Sequence, residues 1–250
     1  MAEKYFKHFP TIDFDVKNDG NLIEAKDVFR NIRVFDDADE AITGYEYYYI
    51  GDQDRPDVLA SKLYGDATLY WLFWMVNDQF ATYEDWPKSQ SVLERFIARK
   101  YTGKALVSNL QTDITKNPDI DEQGQPIPHT FTMGEKVVGS TSSAFGFVIN
   151  IDPTNKQLIL NDIQGVFQTG ETVTGSQSSK SFIISSVRNF SDSPHHYINS
   201  DGNKTSSETT TMVTNSEYEQ TLNDSKRNIR YIKGDYIPQL LREFKSMIRE

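Results

Sequence analysis

One internal repeat constrains the fold of this chain more than any other feature. The segment Phe131-Thr132-Met133-Gly134-Glu135-Lys136-Val137-Val138-Gly139-Ser140-Thr141-Ser142-Ser143 recurs as Phe167-Gln168-Thr169-Gly170-Glu171-Thr172-Val173-Thr174-Gly175-Ser176-Gln177-Ser178-Ser179. A β-rich run follows each copy, Phe145 to Ile151 and Ser181 to Val187, and Gln157-Leu158-Ile159-Leu160 lies between them behind the turn Asp152-Pro153-Thr154-Asn155. Short strands broken by glycine turns at this spacing predict a small antiparallel barrel or sandwich of about 60–70 residues. Two copies are too few for a solenoid, so they read as pseudo-symmetric halves of one barrel.

The rest of the chain differs in composition. Residues 1–101 hold all three Trp and most of the Tyr, whereas 102–190 are poor in charge and rich in Gly, Ser, Thr and β-branched residues. Residues 191–215 are polar and turn-rich and read as an exposed loop or linker. From Ser216 the pattern is helical again. The expected organisation is therefore an N-terminal arm (1–44), an aromatic-rich domain (45–101), an inserted β module (102–190), a linker (191–215) and a C-terminal helical segment (216–250). The fold class expected is α+β.

Within the aromatic-rich domain, Tyr45 to Ile50 reads as a strand between Gly44 and Gly51. Pro56 suits the first turn of a helix, where its missing N–H is not needed, and Gly65 supplies the stop. A second, almost wholly apolar helix is expected from Thr68 to Val76, and an amphipathic one from Ser89 to Tyr101. Near the C-terminus, Ser216 to Ile229 reads as helix, Arg230 to Lys233 as a short extended piece, and Ile237, Leu240, Leu241, Phe244 and Ile248 fall on one face of a final helix. That face must pack either on its own domain or on a partner.

Charge and composition exclude several function classes. The chain has 36 acids against 26 Lys and Arg, a net charge of −10, and no Cys. An acidic chain is a poor ligand for nucleic acid or an anionic membrane, both of which need clustered cations. Disulfides, thiolate catalysis and Cys-based zinc sites are excluded. No apolar run approaches the roughly 20 residues of a membrane span. The N-terminus shows no apolar h-region, so no signal peptide is expected.

Enzymatic motifs are missing as well. There is no nucleophile elbow, zinc-protease helix or phosphate loop. His195-His196 is a weak metal candidate with only Asp192 and Asp201 nearby, the acidic run Asp36 to Glu40 lacks calcium-loop spacing, and Glu84-Asp85 comes without a cleft. No catalytic residue, cofactor or metal is expected. What the sequence has in excess is aromatic residues, and Tyr and Trp dominate protein interfaces because they give large contact area at low entropic cost. Trp71 and Trp74 on the apolar helix are assigned to the core, whereas alternate tyrosines on the strand are candidates for outward-facing anchors. Exposed rings of that kind would also stack on sugars.

The run Arg55 to Asp66, followed by Leu69-Tyr70-Trp71-Leu72-Phe73-Trp74-Met75-Val76-Asn77-Asp78, resembles a LysM-like β-α-α unit. More closely, it is similar to the baseplate wedge protein 53 family of contractile-tailed phages like T4. Asp27-Val28-Phe29-Arg30-Asn31 and the tyrosine strand resemble that family's N-terminal stretch. Glu217 to Lys233 and the terminal helix resemble its C-terminal region. The β module has no counterpart in that pattern and reads as an insertion. The resemblance implies a non-enzymatic structural subunit of the tail baseplate, made in a bacterial cytoplasm and incorporated in the virion. Its implied partners are neighbouring wedge subunits, including those of the core bundle and the sheath-initiating subunit, and adjacent wedges around the hub. Candidate partner contacts are Phe29, Arg30, Tyr47, Tyr49, Tyr70, Trp86, Tyr218, Leu240, Phe244 and Ile248. Peptidoglycan binding at the tail tip is the alternative reading. Bulky aromatics where sugar-binding LysM domains keep a polar groove argue against it.

Overall fold

The computed structural model describes residues 9–27, 44–109, 119–120, 126–127, 130–205 and 210–249. The chain divides into two compact units, Met1–Gln90 with Asn223–Glu250, and Ser91–Leu222. The expected β module (102–190) and linker (191–215) both lie inside the second unit.

In the first unit, β1 (Thr11–Phe14) and β2 (Ile23–Lys26) form a separate antiparallel hairpin. β3 (Tyr45–Tyr49) leads into α1 (Pro56–Tyr64), which opens on Pro56 and closes on Gly65 in the left-handed conformation at φ 70°. The second helix is shorter than its apolar run. A 3-10 turn over Ala67–Leu69, capped by the Asp66 side chain, precedes α2 (Leu72–Val76). The partner of β3 comes from the far end of the sequence: β16 (Asn228–Ile232) pairs with it antiparallel, Asn228 opposite Tyr49 and Ile232 opposite Tyr45. The expected helix over Ser216–Ile229 therefore stops earlier, as α4 (Asn215–Ser225), because Asn228 and Ile229 are needed in this ladder.

The core of this unit is aromatic. Ile50, Leu59, Ala60, Phe73, Phe80, Trp86 and Ile229 are buried together, with Tyr48, Tyr64, Trp74 and Tyr231 packed around them. The last helix, α5 (Ile237–Arg249), settles on its own unit. Ile237 lies buried with Leu72, Val76 and Ile232, and Phe244 and Ile248 are buried with Phe9 against Trp71 and Met75.

The second unit contains α3 from Ser91 onward (Gln90–Lys100) and a seven-stranded antiparallel sheet. In spatial order its strands are β11 (Ser181–Ile183), β10 (Thr172–Gly175), β7 (Lys136–Gly139), β8 (Phe145–Asp152), β9 (Gln157–Gln164), β4 (Lys104–Val107) and β12 (Ser186–Asn189). The two edge strands are successive in the chain, joined through Ile184 and Ser185, so the sheet curls back on itself into a half-closed barrel. Leu106, Phe131, Val137, Val148, Leu158, Leu160, Phe167, Val173 and Phe182 fill its interior. The stretch read as a polar loop holds a three-stranded sheet of β13 (Pro194–Ile198), β14 (Lys204–Thr205) and β15 (Thr211–Thr214). A further strand pair joins β5 (Asp119–Ile120) to β6 (Pro126–Ile127).

The repeat forms a local two-fold. β7 and β10 pair with Val137 opposite Gly175 and Gly139 opposite Val173, so each copy maps onto the other about the Val138–Thr174 position. Two buried carboxylates cross this axis. Glu135 accepts the N–H of Gln177 at 2.9 Å, the N–H of Ser178 at 3.0 Å and the Ser178 hydroxyl at 2.7 Å. Glu171 accepts the N–H of Thr141 at 3.2 Å, the N–H of Ser142 at 2.9 Å and the Ser142 hydroxyl at 2.9 Å. Each carboxylate also takes an N–H from its own strand entrance, Thr132 and Gln168, both at 2.6 Å. The recurring glycines make room for this exchange. A Cβ on Gly139 would stand 2.6 Å from a Glu171 oxygen, and one on Gly175 2.6 Å from a Glu135 oxygen.

Burial opposes ionisation of both carboxylates, but the turn N–H and hydroxyl donors outweigh it and hold each below the ordinary Glu pKa of 4.5. A depressed folded pKa adds stability above the unfolded value, and that stability is lost as pH falls through the folded value. Acid titration below pH 4.5 should therefore unfold the second unit progressively in wild type, with a shallower dependence in E135Q/E171Q. Glu135→Ala or Gly139→Ala should each cost the second unit about 2–4 kcal/mol in denaturant melts, because buried N–H donors lose their acceptor.

Candidate partner interface

Among the described residues, the β3–β16 ribbon has one edge met by side chains and one edge with no partner. Ile50 donates to the Arg227 carbonyl at 2.8 Å and Lys233 to the Gly44 carbonyl at 3.0 Å, which places the bonded pairs at the even-numbered positions of β3. Arg230 on β16 turns its backbone outward, and there the Asn77 side chain meets it. Asn77 Oδ1 accepts the Arg230 N–H at 2.8 Å and Asn77 Nδ2 donates to the Arg230 carbonyl at 2.8 Å. Gln79 Nε2 adds a 3.4 Å contact to the Asn228 carbonyl. Two amide side chains thus stand in for a third strand on that side.

Among the described residues nothing comparable covers β3. Its odd-numbered residues Tyr45, Tyr47 and Tyr49 turn N–H and C=O away from β16, and among the described residues no strand or side chain takes these groups. On the same strand the side chains of Tyr47 and Tyr49 are 71% and 66% exposed. Tyr48, between them, points inward and donates its hydroxyl to Asp54 at 3.0 Å. An open strand edge flanked by exposed aromatics supplies both halves of strand-addition recognition, backbone hydrogen bonds and side-chain contact area.

The ribbon is locked at its far end by Arg227. This buried guanidinium donates to the Ile50 carbonyl at 3.0 Å, to Asp52 at 2.7 Å, to the Lys88 carbonyl at 3.1 Å and to Asp224 at 3.1 Å. Close by, Lys226 donates to Asp85 at 2.8 Å, and this contact, with the Thr82 N–H, lowers the Asp85 carboxyl to about 2. Asn223 exchanges hydrogen bonds with the Lys88 backbone at 2.7 and 3.0 Å. These contacts tie residues 223–233 to the 50–90 segment within the first unit.

The other sequence candidates are occupied inside the molecule. Trp86 is buried, stacks on Trp74 at 5.4 Å and donates its indole N–H to the Asp54 carbonyl at 2.8 Å. Tyr70 is half-buried, edge-on to Trp74. Leu240 is half-buried against the Ile232–Ile237 cluster, and Phe244 and Ile248 are fully enclosed with Phe9. Tyr218 stacks on His195 at 3.8 Å in the second unit. Phe29 and Arg30, like the acidic run 36–40, lie outside the described residues. The Nδ1 atoms of His195 and His196 are 2.8 Å apart, and no group of three or more potential ligands forms a metal site among the described residues. No helix there is long and apolar enough to cross a membrane.

Sequence reading placed Tyr47 and Tyr49 correctly on one strand but had no means of finding the open edge, because edge status depends on a partner strand distant in sequence. Asn77 gave a signal only as a turn residue.

Two comparisons bear on identity. Residues 4–125 match a family model described as base plate wedge protein 53. Over 101 residues the chain is 34% identical to the baseplate wedge protein gp53 of Enterobacteria phage T4, an alignment covering 38% of this chain and 50% of that protein. The chain thus spans about half the length of the curated relative it matches. The match begins before the resemblance read from the residues and does not reach the C-terminal segment 215–250.

Two substitutions separate scaffold from surface. Asn77→Ala should cost about 2–3 kcal/mol, since it strands both backbone groups of Arg230. Tyr47→Ser with Tyr49→Ser should leave stability within about 0.5 kcal/mol of wild type in the same melts, because neither ring is packed.

Proposed function

We propose, from the match of residues 4–125 to the base plate wedge protein 53 family model and the 34% identity to a T4 baseplate wedge protein, that the protein is a structural, non-enzymatic subunit of a phage tail baseplate wedge. It binds neighbouring wedge proteins and promotes association of wedges around the hub. Its place is the virion baseplate, after assembly in the host cytoplasm. The observation that carries this reading is the outer edge of β3, where Tyr47 and Tyr49 stand exposed beside backbone groups that have no partner among the described residues. A subunit whose work is assembly needs a rigid face of this kind. The aromatic core behind it and the Arg227 lock supply the rigidity.

The β-α-α-β arrangement, with its second strand delivered by residues 228–232, supports the LysM-like reading of the first unit. The intervening 91–222 unit acts in this account as a rigid insertion between the strands. The terminal helix contributes by completing the first unit rather than by reaching a partner, since Phe244 and Ile248 are consumed internally. Removing Tyr236 to Glu250 would therefore damage the fold, and surface substitutions are the sharper probes.

Co-sedimentation of the purified chain with wedge complexes and, in parallel, with peptidoglycan sacculi tests the proposal. Wild type should pellet with wedges and not with sacculi. The Tyr47→Ser/Tyr49→Ser variant should bind wedges about tenfold more weakly or worse. Binding to sacculi alone, lost in the same variant, would replace the assembly reading with the glycan one.

A further inference from the structure

β13 carries an extra residue near its start. Pro194 pairs with Thr214 and His196 with Val213, so two steps along β13 match one along β15 and His195 is left in a bulge. Adjacent side chains on a regular strand point to opposite faces, and a bulge is the local device that cancels this alternation. Here it brings two imidazoles together, with their Nδ1 atoms 2.8 Å apart and their rings at 80°. His195 also lies flat on the Tyr218 ring of α4, centroids 3.8 Å apart and planes within 10°. His196 meets the same ring edge-on at 6.1 Å. Through this pair the start of β13 grips α4.

A 2.8 Å contact between two Nδ1 atoms is a hydrogen bond only when one of them carries a proton. That condition holds for the neutral pair and for the pair with one added proton, because in both a single Nδ1–H donates to the lone pair of the other ring. A second added proton puts an N–H on both nitrogens. Two donors and two positive charges then face each other at hydrogen-bond distance, and the contact cannot persist.

The surroundings give that second proton no compensation. Burial first, then the neighbouring His196, Lys204 and Lys100, holds His195 below the ordinary value of 6.5, and burial with Lys204 does the same for His196. Lys204 on β14 stands 5.9 Å from the Tyr218 ring. On α4, Glu219 favours a charge on His195, but it is buried and already takes the Lys100 ammonium at 2.6 Å and the Tyr101 hydroxyl at 2.8 Å. Asp152 lines one cavity with His195, and its oxygens accept the N–H groups of Thr154 and Asn155 and the side-chain amides of Asn155 and Gln157.

We propose that His195 and His196 form a proton-operated latch, in which a second proton on the pair releases the start of β13 from α4. Asn215 bonds the Ser193 and Phe190 carbonyls without any titratable group, so α4 keeps its anchor to that turn and the opening is confined to the bulge. A folded-state pKa below the unfolded one means that the latched form loses stability as pH falls through 6.5, until the folded value is passed. This window lies above the acid response of Glu135 and Glu171 below 4.5. The latch lies within the second unit and works whether or not the chain is a wedge subunit.

The full chain is followed by NMR from about pH 7.5 to about pH 5, the range in which ordinary imidazoles change charge. In wild type the His195 and His196 rings should titrate as a coupled pair in two steps, the second below 6.5, and the Tyr218 ring signals should move with that second step. Amide exchange at His195 to Ile198, corrected for the intrinsic effect of pH, should become about tenfold faster for each unit by which the second pKa is depressed. The strands β7 and β10 should keep their protection over the same range. In His196→Asn, Asn Oδ1 accepts the His195 Nδ1–H and cannot gain a proton, so exchange at these amides should change by less than about twofold. Two independent single-site titrations in wild type, or Tyr218 signals that do not move, would overturn the latch, and neither result depends on the variant folding. An acid response retained in full by His196→Asn would also overturn it, by moving the responsible group elsewhere.

Discussion

The first unit depends on the pairing of Tyr45–Tyr49 with Asn228–Ile232, strands that the whole of residues 91–222 separates in sequence. Closing so long a loop costs entropy, although the cost grows only slowly with length. The structure offsets it with polar contacts concentrated at the closing strand. Arg227 links four groups from residues 50–90 and 224, and Asn77 completes the outer edge of β16. The aromatic cluster of Phe73, Trp74, Phe80 and Trp86 packs around that ribbon, and α5 packs through Ile237 against Ile232, Leu72 and Val76. The exposed tyrosines of β3 gain their fixed orientation from the same pairing.

The second unit solves a different problem by symmetry. Two short copies of one motif cannot each bury enough surface alone, and the half-closed barrel lets each complete the other. Glu135 and Glu171 organise the turn of the opposite copy, and Gly139 and Gly175 are required because a side chain would occupy the carboxylate's place. The motif's glutamates thus serve structure, which accounts for buried acids in a chain with no catalytic motif.

Much of this was legible in the residues, and the failures have physical causes. Pro56 and Gly65 marked the ends of α1 because both act locally, through φ and a missing donor. The repeat announced strands and turns for the same reason. Strand partnership is not local, so Asn228 and Ile229 read as helix although they complete the β3 ladder. The Thr- and His-rich strands β13 to β15 read as loop because their composition is polar and they are short. Apolar periodicity located the face of Phe244 and Ile248 but could not say that this chain itself covers it. The hairpin did carry a signal, alternating Ile12, Phe14 and Ile23, Ala25 about Asn18-Asp19-Gly20, within a segment taken only as an arm.

The exposed Tyr47 and Tyr49 on β3, beside backbone groups with no partner among the described residues, are the features on which the proposed assembly role rests. The most direct test of the proposed role is whether purified phage baseplate wedges associate into rings around a hub in the presence and absence of this chain, followed by analytical sedimentation and electron microscopy. The account predicts ring-sized assemblies containing the chain stoichiometrically, and isolated wedges without it. Equal ring formation in both samples would contradict it.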